Sequence, residues 1–150
     1  MDLQRRAALL QHLERHGFSA EHPRGRGARP LLSLDAFFEG NDDDRSLGPQ
    51  ISGPHPGVQV LHARLREIAA RTDVSHVLVE AADAEWAYDS DDEWVVAERV
   101  VIVTSAPAEA VAEWRRELGA AGQVKGLPQP QAATAPEPGE GQAAWQLVWT

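Results

Sequence analysis

Apolar positions recur along this chain in two periods, one near 3.6 residues and one of two, and each change between them marks an element. From Asp2 to His16 the period is helical. Leu3, Ala7, Leu9, Leu10 and Leu13 share one broad face, Arg6 and Glu14 intrude on it, and Gly17 offers a stop. Leu31 to Gly40 reads as a strand with Leu32, Leu34, Ala36 and Phe38 on one side and Ser33 and Asp35 on the other; a short helix over 35–40 is the competing reading. Residues 41–54 carry turn chemistry throughout. The next helix has Pro56 at its first position and Val58, Leu61, Leu65, Ile68 and Ala69 on one stripe, with Asp73 at its exit.

Val74 to Ala81 follows as a strand with Val77, Val79 and Ala81 on one face. Residues 82–98 then read as a long hairpin arm turning near Ser90 to Glu93. Val100 to Val103 is an unbroken apolar run, the pattern of a strand buried on both faces. Ser105 is the expected cap and Pro107 a first-turn residue of a third helix, which presents Val111, Trp114 and Leu118. Gln123 to Leu127 reads as a short strand. Pro128 to Gly141 holds four prolines and reads as a linker with no fixed element. Trp145, Leu147 and Trp149 alternate with Gln146 and Val148 in a closing strand.

This order predicts an α+β fold. Its middle six elements suggest a ferredoxin-like (split βαβ) antiparallel sheet, with an extra N-terminal helix and an extra C-terminal strand. Both crossovers would be right-handed, the first and third strands would be central, and the helices would pack mainly on one face. At 150 residues the chain is expected to be a single domain. It divides into an N-terminal helix and basic loop (1–30), an α+β core (31–127), a Pro-rich linker (128–143) and a terminal strand (144–150). That last strand is expected to dock on the sheet edge of its own chain, leaving a monomer or a weak homodimer through an edge strand.

Charge narrows the function classes. The formal net charge of −9 disfavours a nucleic-acid partner, whose phosphates reward clustered Lys and Arg. The charge is uneven: residues 1–30 hold six Arg against three acids, and residues 83–98 hold seven acids and no base. Thirteen Arg against one Lys points to a GC-rich bacterial genome. The chain has no cysteine, no secretory pattern among its first residues and no apolar run of membrane-spanning length, so a cytoplasmic location and no membrane partner are expected.

Few patterns carry chemistry. Asn41 to Asp44 offers three adjacent carboxylates, but an EF-hand counted from Asp42 would meet Leu47 and Gly53 where Gly and Glu are needed. Counted from Asp89, the second acidic cluster meets Trp94 and Val100 at those positions. His12 and His16 stand one helical turn apart without the acid of a zinc-protease motif, and His55 between two prolines reads as a helix cap. No serine among Ser33, Ser46, Ser52 and Ser105 lies in a nucleophile motif, and no phosphate-binding loop is present. No metal site and no cofactor is expected. Arg24, Arg26 and Arg29 in the Arg–Gly loop could hold a phosphate, but the loop is read as a mobile connector.

One stretch carries a resemblance. Leu34 to Gly48 fits L-x-x-F-F-x-G-N-x-D-x-x-S-[IL]-G, and His55-Pro56-Gly57 and a helix follow. Together these resemble a segment of small uncharacterised bacterial proteins, over about residues 31–118. The resemblance implies no activity and supplies no catalytic residue.

The expected function is therefore a non-enzymatic, cytoplasmic protein-binding module for a basic protein, similar to bacterial immunity proteins in size and acidity. Its surface would be Trp86, Tyr88, Asp89, Asp91, Asp92 and Trp94, because aromatics concentrate at interface hot spots and acids steer a basic partner. The alternative is a small-molecule-binding or hydrolytic domain, with Asp35, Glu39 or Asp42 acting as general acid or base in a pocket between sheet and helices.

Overall fold

The computed structural model describes residues 1–48 and 54–149. The elements are α1 (Leu3–Glu14), β1 (Leu31–Ser33), α2 (Leu34–Phe38), a single 3-10 turn (Asp44–Ser46), α3 (Val58–Ala69), β2 (Val74–Asp83), α4 (Glu85–Asp89), β3 (Val96–Thr104), α5 (Ala108–Leu118), β4 (Gly122–Lys125) and β5 (Ala143–Val148). The fold is α+β: five strands form one sheet in the order β1-β2-β3-β5-β4, and every neighbouring pair is antiparallel.

β3 is the axis of the sheet. Val100, Val101, Ile102 and Val103 are all wholly buried, so its backbone groups must be paired on both sides. β2 covers one side, from Val74 opposite Thr104 to Asp83 opposite Val96. β5 covers the other, from Arg99 opposite Val148 to Thr104 opposite Ala143. One face of this sheet, through Val77, Val79, Val100, Ile102 and Leu147, joins a single core with Leu10 and Leu13 of α1, Phe37 and Phe38 of α2, Leu61 and Leu65 of α3, and Val111 and Trp114 of α5.

The ferredoxin-like arrangement does not describe this sheet. A split βαβ unit would seat the first strand beside the third; here β1 is a three-residue edge strand beside β2, and β5 takes the place next to β3. The cause lies at Ser33. Its hydroxyl accepts from the Ala36 amide at 3.1 Å and caps α2, so the expected strand 31–40 stops after three residues and the competing helix forms. Phe37 and Phe38 both enter the one core on the helix side of the sheet, which a helical turn allows and a strand, sending neighbours to opposite faces, does not. A three-residue strand cannot satisfy β3, and the six-residue β5 can. β1 and β2 are antiparallel neighbours, so the first expected crossover does not form; β3 and β4, set apart by β5, run parallel and are joined through α5, the kind of connection the right-handed rule governs.

Three smaller corrections follow from the same packing. The hairpin arm after β2 is interrupted by α4, and Trp94 turns inward with no exposure. Ser105 is not the cap of α5: Pro107 holds that position, while Thr104 Oγ1 accepts from the Ala106 amide at 3.0 Å. The terminal strand is not an edge strand, because β4 pairs along its outer side from Gly122 opposite Val148 to Lys125 opposite Trp145.

The Pro-rich segment holds no helix or strand between β4 and β5, but it has a fixed course. It leaves β4 at one sheet edge, and Pro128, Pro130, Ala132 and Ala135 share a cleft with Arg29 and with Leu31 of β1 at the other. It is a strap across the sheet face opposite the helices, the face that carries Glu80, Arg99, Val101, Val103 and Gln146.

Candidate functional site

Leu34 to Gly48 makes a compact turn whose polar side chains are spent on the backbone. Asn41 is buried; its Nδ2 donates to Ser46 Oγ at 2.8 Å and to the Phe37 carbonyl at 3.3 Å, and its Oδ1 accepts from the Asp43 amide at 2.9 Å. Asp43 accepts from the Arg45 amide at 3.1 Å and, through its other oxygen, from the Trp94 amide at 3.0 Å. Asp44 caps α3 by accepting from the Val58 amide at 2.9 Å. Gln59 donates to the carbonyls of Phe38 and Asn41, both at 2.7 Å. His55 Nδ1 accepts from the Gly57 amide at 2.9 Å, which leaves Nε2 to donate to the Leu47 carbonyl at 2.9 Å. The expected cap is thus a tie between α3 and the loop. Gly40 adopts φ +77°, and a Cβ there would lie 2.5 Å from Asp2 Cβ, so only glycine fits. Residues 49–53, with Ser52 among them, lie outside the described residues.

Two arginines lock the acidic arm in place, Arg6 to α1 and Arg45 to this turn. Arg6 is the polar intruder on the face of α1. It is buried, and its guanidinium donates to the carbonyls of Glu93 at 2.8 Å, Ser90 at 2.6 Å and Ala87. Arg45 pairs with Glu93 at 2.5 Å and stacks over Trp86, its guanidinium carbon 5.4 Å from the ring centroid. Three bonded carbonyls satisfy a buried guanidinium that would otherwise be costly. The arm is therefore held in one shape.

A family model, that of the "Uncharacterized protein YfbO family", matches residues 4–147. The chain belongs to this family. It is 34% identical over 86 residues to a protein of Escherichia coli (strain K12) described as "Uncharacterized protein YfbO", and that alignment covers 57% of each chain. No solved structure matches. Within this member of the family, the motif turn is a scaffold that joins α1, α3 and the start of β3.

The predicted binding residues divide into an outer and an inner set. Trp86 is 45% exposed, and Asp89, Asp91 and Asp92 are exposed beside it. Trp94 is wholly buried, and Tyr88 is half-buried against the core with its hydroxyl donating to Glu14 at 3.5 Å. Burial and the neighbouring Glu14 carboxylate raise the Tyr88 pKa above its ordinary value. Two of the three aromatics thus anchor the arm, and one faces outward.

Of the alternative acids, Asp35 and Glu39 both act on His62, and Asp42 is held apart from them. Asp35 lines a shallow groove of about 190 Å³ with Arg5 and His12 of α1. Asp42 is 66% exposed and pairs with the terminal amine at 2.9 Å. Glu39 sits at the C-terminal end of α2, on the side of His62. His12 and His16 meet edge to face at 4.9 Å, and no group of three or more potential metal ligands occurs among the described residues. Among the described residues, no helix is long and apolar enough to cross a membrane.

Sequence reasoning missed Arg6, Gln59 and His62. His62 is buried, stacks on Phe38 with ring centroids 4.7 Å apart, and donates from Nδ1 to Gln59 Oε1 at 3.2 Å. Burial, helped by Arg66, lowers its pKa against the opposing pull of Glu39 and Asp35. Arg6 on an apolar stripe was the one visible signal, since an arginine is rarely placed there without partners.

Proposed function

We propose that this protein is a non-enzymatic binding module that captures a basic protein through the acidic surface around Trp86. One observation carries the reading: Trp86 is 45% exposed on a short helix whose neighbours Glu85, Asp89, Asp91 and Asp92 are exposed carboxylates. The arm bearing them is preorganised by Arg6 and Arg45, so little ordering is needed on binding. An exposed aromatic ringed by acids suits a partner that offers an apolar socket rimmed by Lys or Arg. A cytoplasmic setting and a resemblance to immunity proteins in size and acidity belong to the same reading.

The test is capture from a lysate of the native host at low salt, using the whole protein and a Trp86→Ala, Asp91→Asn, Asp92→Asn variant side by side. A basic protein should be held by the first, released by raised salt and lost by the second. A truncated hot-spot Trp costs at least ~2 kcal/mol, or roughly thirtyfold in affinity. Equal capture by both proteins, or recovery of no protein partner, would reject the proposal.

A further inference from the structure

The sheet face opposite the helices is apolar at Val101, Val103, Ala144 and Val148, yet its register sets Glu80 directly opposite Arg99. Arg29 reaches in from the Arg–Gly loop, and its Nη1 lies 3.4 Å from Glu80 Oε1. Arg99 donates to the Gln146 amide oxygen. The strap closes over these groups and leaves a cavity of about 420 Å³ between Pro128–Pro130 and the loop, with Arg24 at its mouth.

The charge in this cavity does not close. Arg24 is paired outside it with Asp83 at 3.2 Å, while Glu80 alone faces both Arg29, by one long contact at 3.4 Å, and Arg99, whose hydrogen bond goes to the neutral Gln146 amide. A guanidinium offers five donors in a planar fork, and each of these two inner arginines spends one in the contacts just given. A half-buried cation beside a neutral partner is unfavourable unless an anion joins it. This concentration of arginine is conspicuous in a chain of net charge −9. Burial raises the pKa of Glu80 against the pull of Arg29 and Arg99, so the one acid lining the cavity holds its charge less firmly than a surface carboxylate does.

We propose that this cavity binds a small oxyanion-bearing ligand, an organic carboxylate or a phosphate ester, held by Arg29 and Arg99 beneath the Pro-rich strap. Arginine forks match both head groups in a bidentate manner. The volume is in the range of small-ligand pockets, with room for a short carbon body beyond the head group. The Arg–Gly loop is thereby more than a connector. Arg29 is its inner contributor, Arg24 stands at the rim, Arg26 turns away to His22 at 2.6 Å, and Arg99 supplies the third guanidinium from β3.

The experiment is a titration of the whole protein followed by NMR of the arginine side-chain Nε–Hε signals. The probes are inorganic phosphate, glycerol phosphate and succinate, with sodium chloride at matched ionic strength as control. Saturable shifts of Arg29 and Arg99 by at least one oxyanion, absent with chloride, are expected; preference among the probes separates a phosphorylated ligand from an organic acid. R99Q should weaken binding roughly tenfold, and R29Q is the second variant if R99Q does not fold. E80Q removes the one carboxylate lining the cavity and releases Arg29, so it should tighten binding severalfold, a gain no purely structural role of Glu80 predicts. Shifts that do not saturate, shifts reproduced by chloride, or affinities unchanged in both R99Q and E80Q would overturn the proposal.

Discussion

Replacing Asn41 by Ala separates a structural turn from a ligand-binding one. The side chain makes three hydrogen bonds, to Ser46 Oγ at 2.8 Å, from the Asp43 amide at 2.9 Å and to the Phe37 carbonyl at 3.3 Å, and it is 1% exposed. Each such bond contributes about 1 kcal/mol net, and a buried group left without its partner costs a further ~1–3 kcal/mol. Ser46 is wholly buried and would be that group. Asn41→Ala should therefore lose about 2–4 kcal/mol, which for a chain of this size lowers Tm by on the order of 10 °C. Asp42 is the internal control. It is 66% exposed and pairs with the terminal amine, so Asp42→Ala should cost no more than about 1 kcal/mol. Urea unfolding of both variants, compared at a common slope, measures the difference. If Asn41→Ala stays within about 0.5 kcal/mol of the parent, or Asp42→Ala costs as much, the network does not hold the turn and the reading of the motif as a scaffold is wrong.

Stability should fall on acidification. The unfolded chain protonates His62 near 6.5 while the folded chain resists until a lower pH, so between those values the unfolded state binds more protons and the fold loses up to ~1.36 kcal/mol per pH unit from this group. His12, whose pKa burial, His16 and Arg15 also lower, adds in the same sense; urea midpoints from pH 7.5 to 5 should flatten in His62→Gln if the argument holds. Gly40→Ala combines a positive φ with a contact on Asp2 Cβ and should cost about 1–3 kcal/mol or more, read from the thermal midpoint. Deleting residues 144–150 removes the strand between β3 and β4 together with Leu147 and Trp149 of the core, so circular dichroism should show loss of the folded state; a truncated protein with a cooperative, unshifted melt would contradict the sheet order.

The helix stripes and the buried run at Val100 to Val103 were legible because burial of one face imposes a period on the sequence, and that period survives any arrangement of the elements. The α+β class and the linear order of most elements followed from it. The misreadings have local causes of another kind. Leu32, Leu34, Ala36 and Phe38 alternate as a strand would, but Ser33 caps a turn there and both phenylalanines are needed inside. Trp86, Tyr88 and Trp94 looked equivalent beside their acids, and only packing against the core separates the outward one from the inward two.

What the sequence by itself determined is the set of faces: which side of each helix is apolar, which strand is apolar on both sides, and where the acids and arginines concentrate. Only the tertiary structure decided which strand became the partner of β3, since several strands could satisfy its backbone and length chose β5 over β1. It also decided the company of the charges. Arg6 meets carbonyls more than 80 positions away, and Arg29, Glu80 and Arg99 meet under a strap drawn from residues 126–142. Such contacts leave no period behind, because each depends on two distant segments arriving at one place, and neither segment's own pattern records the other.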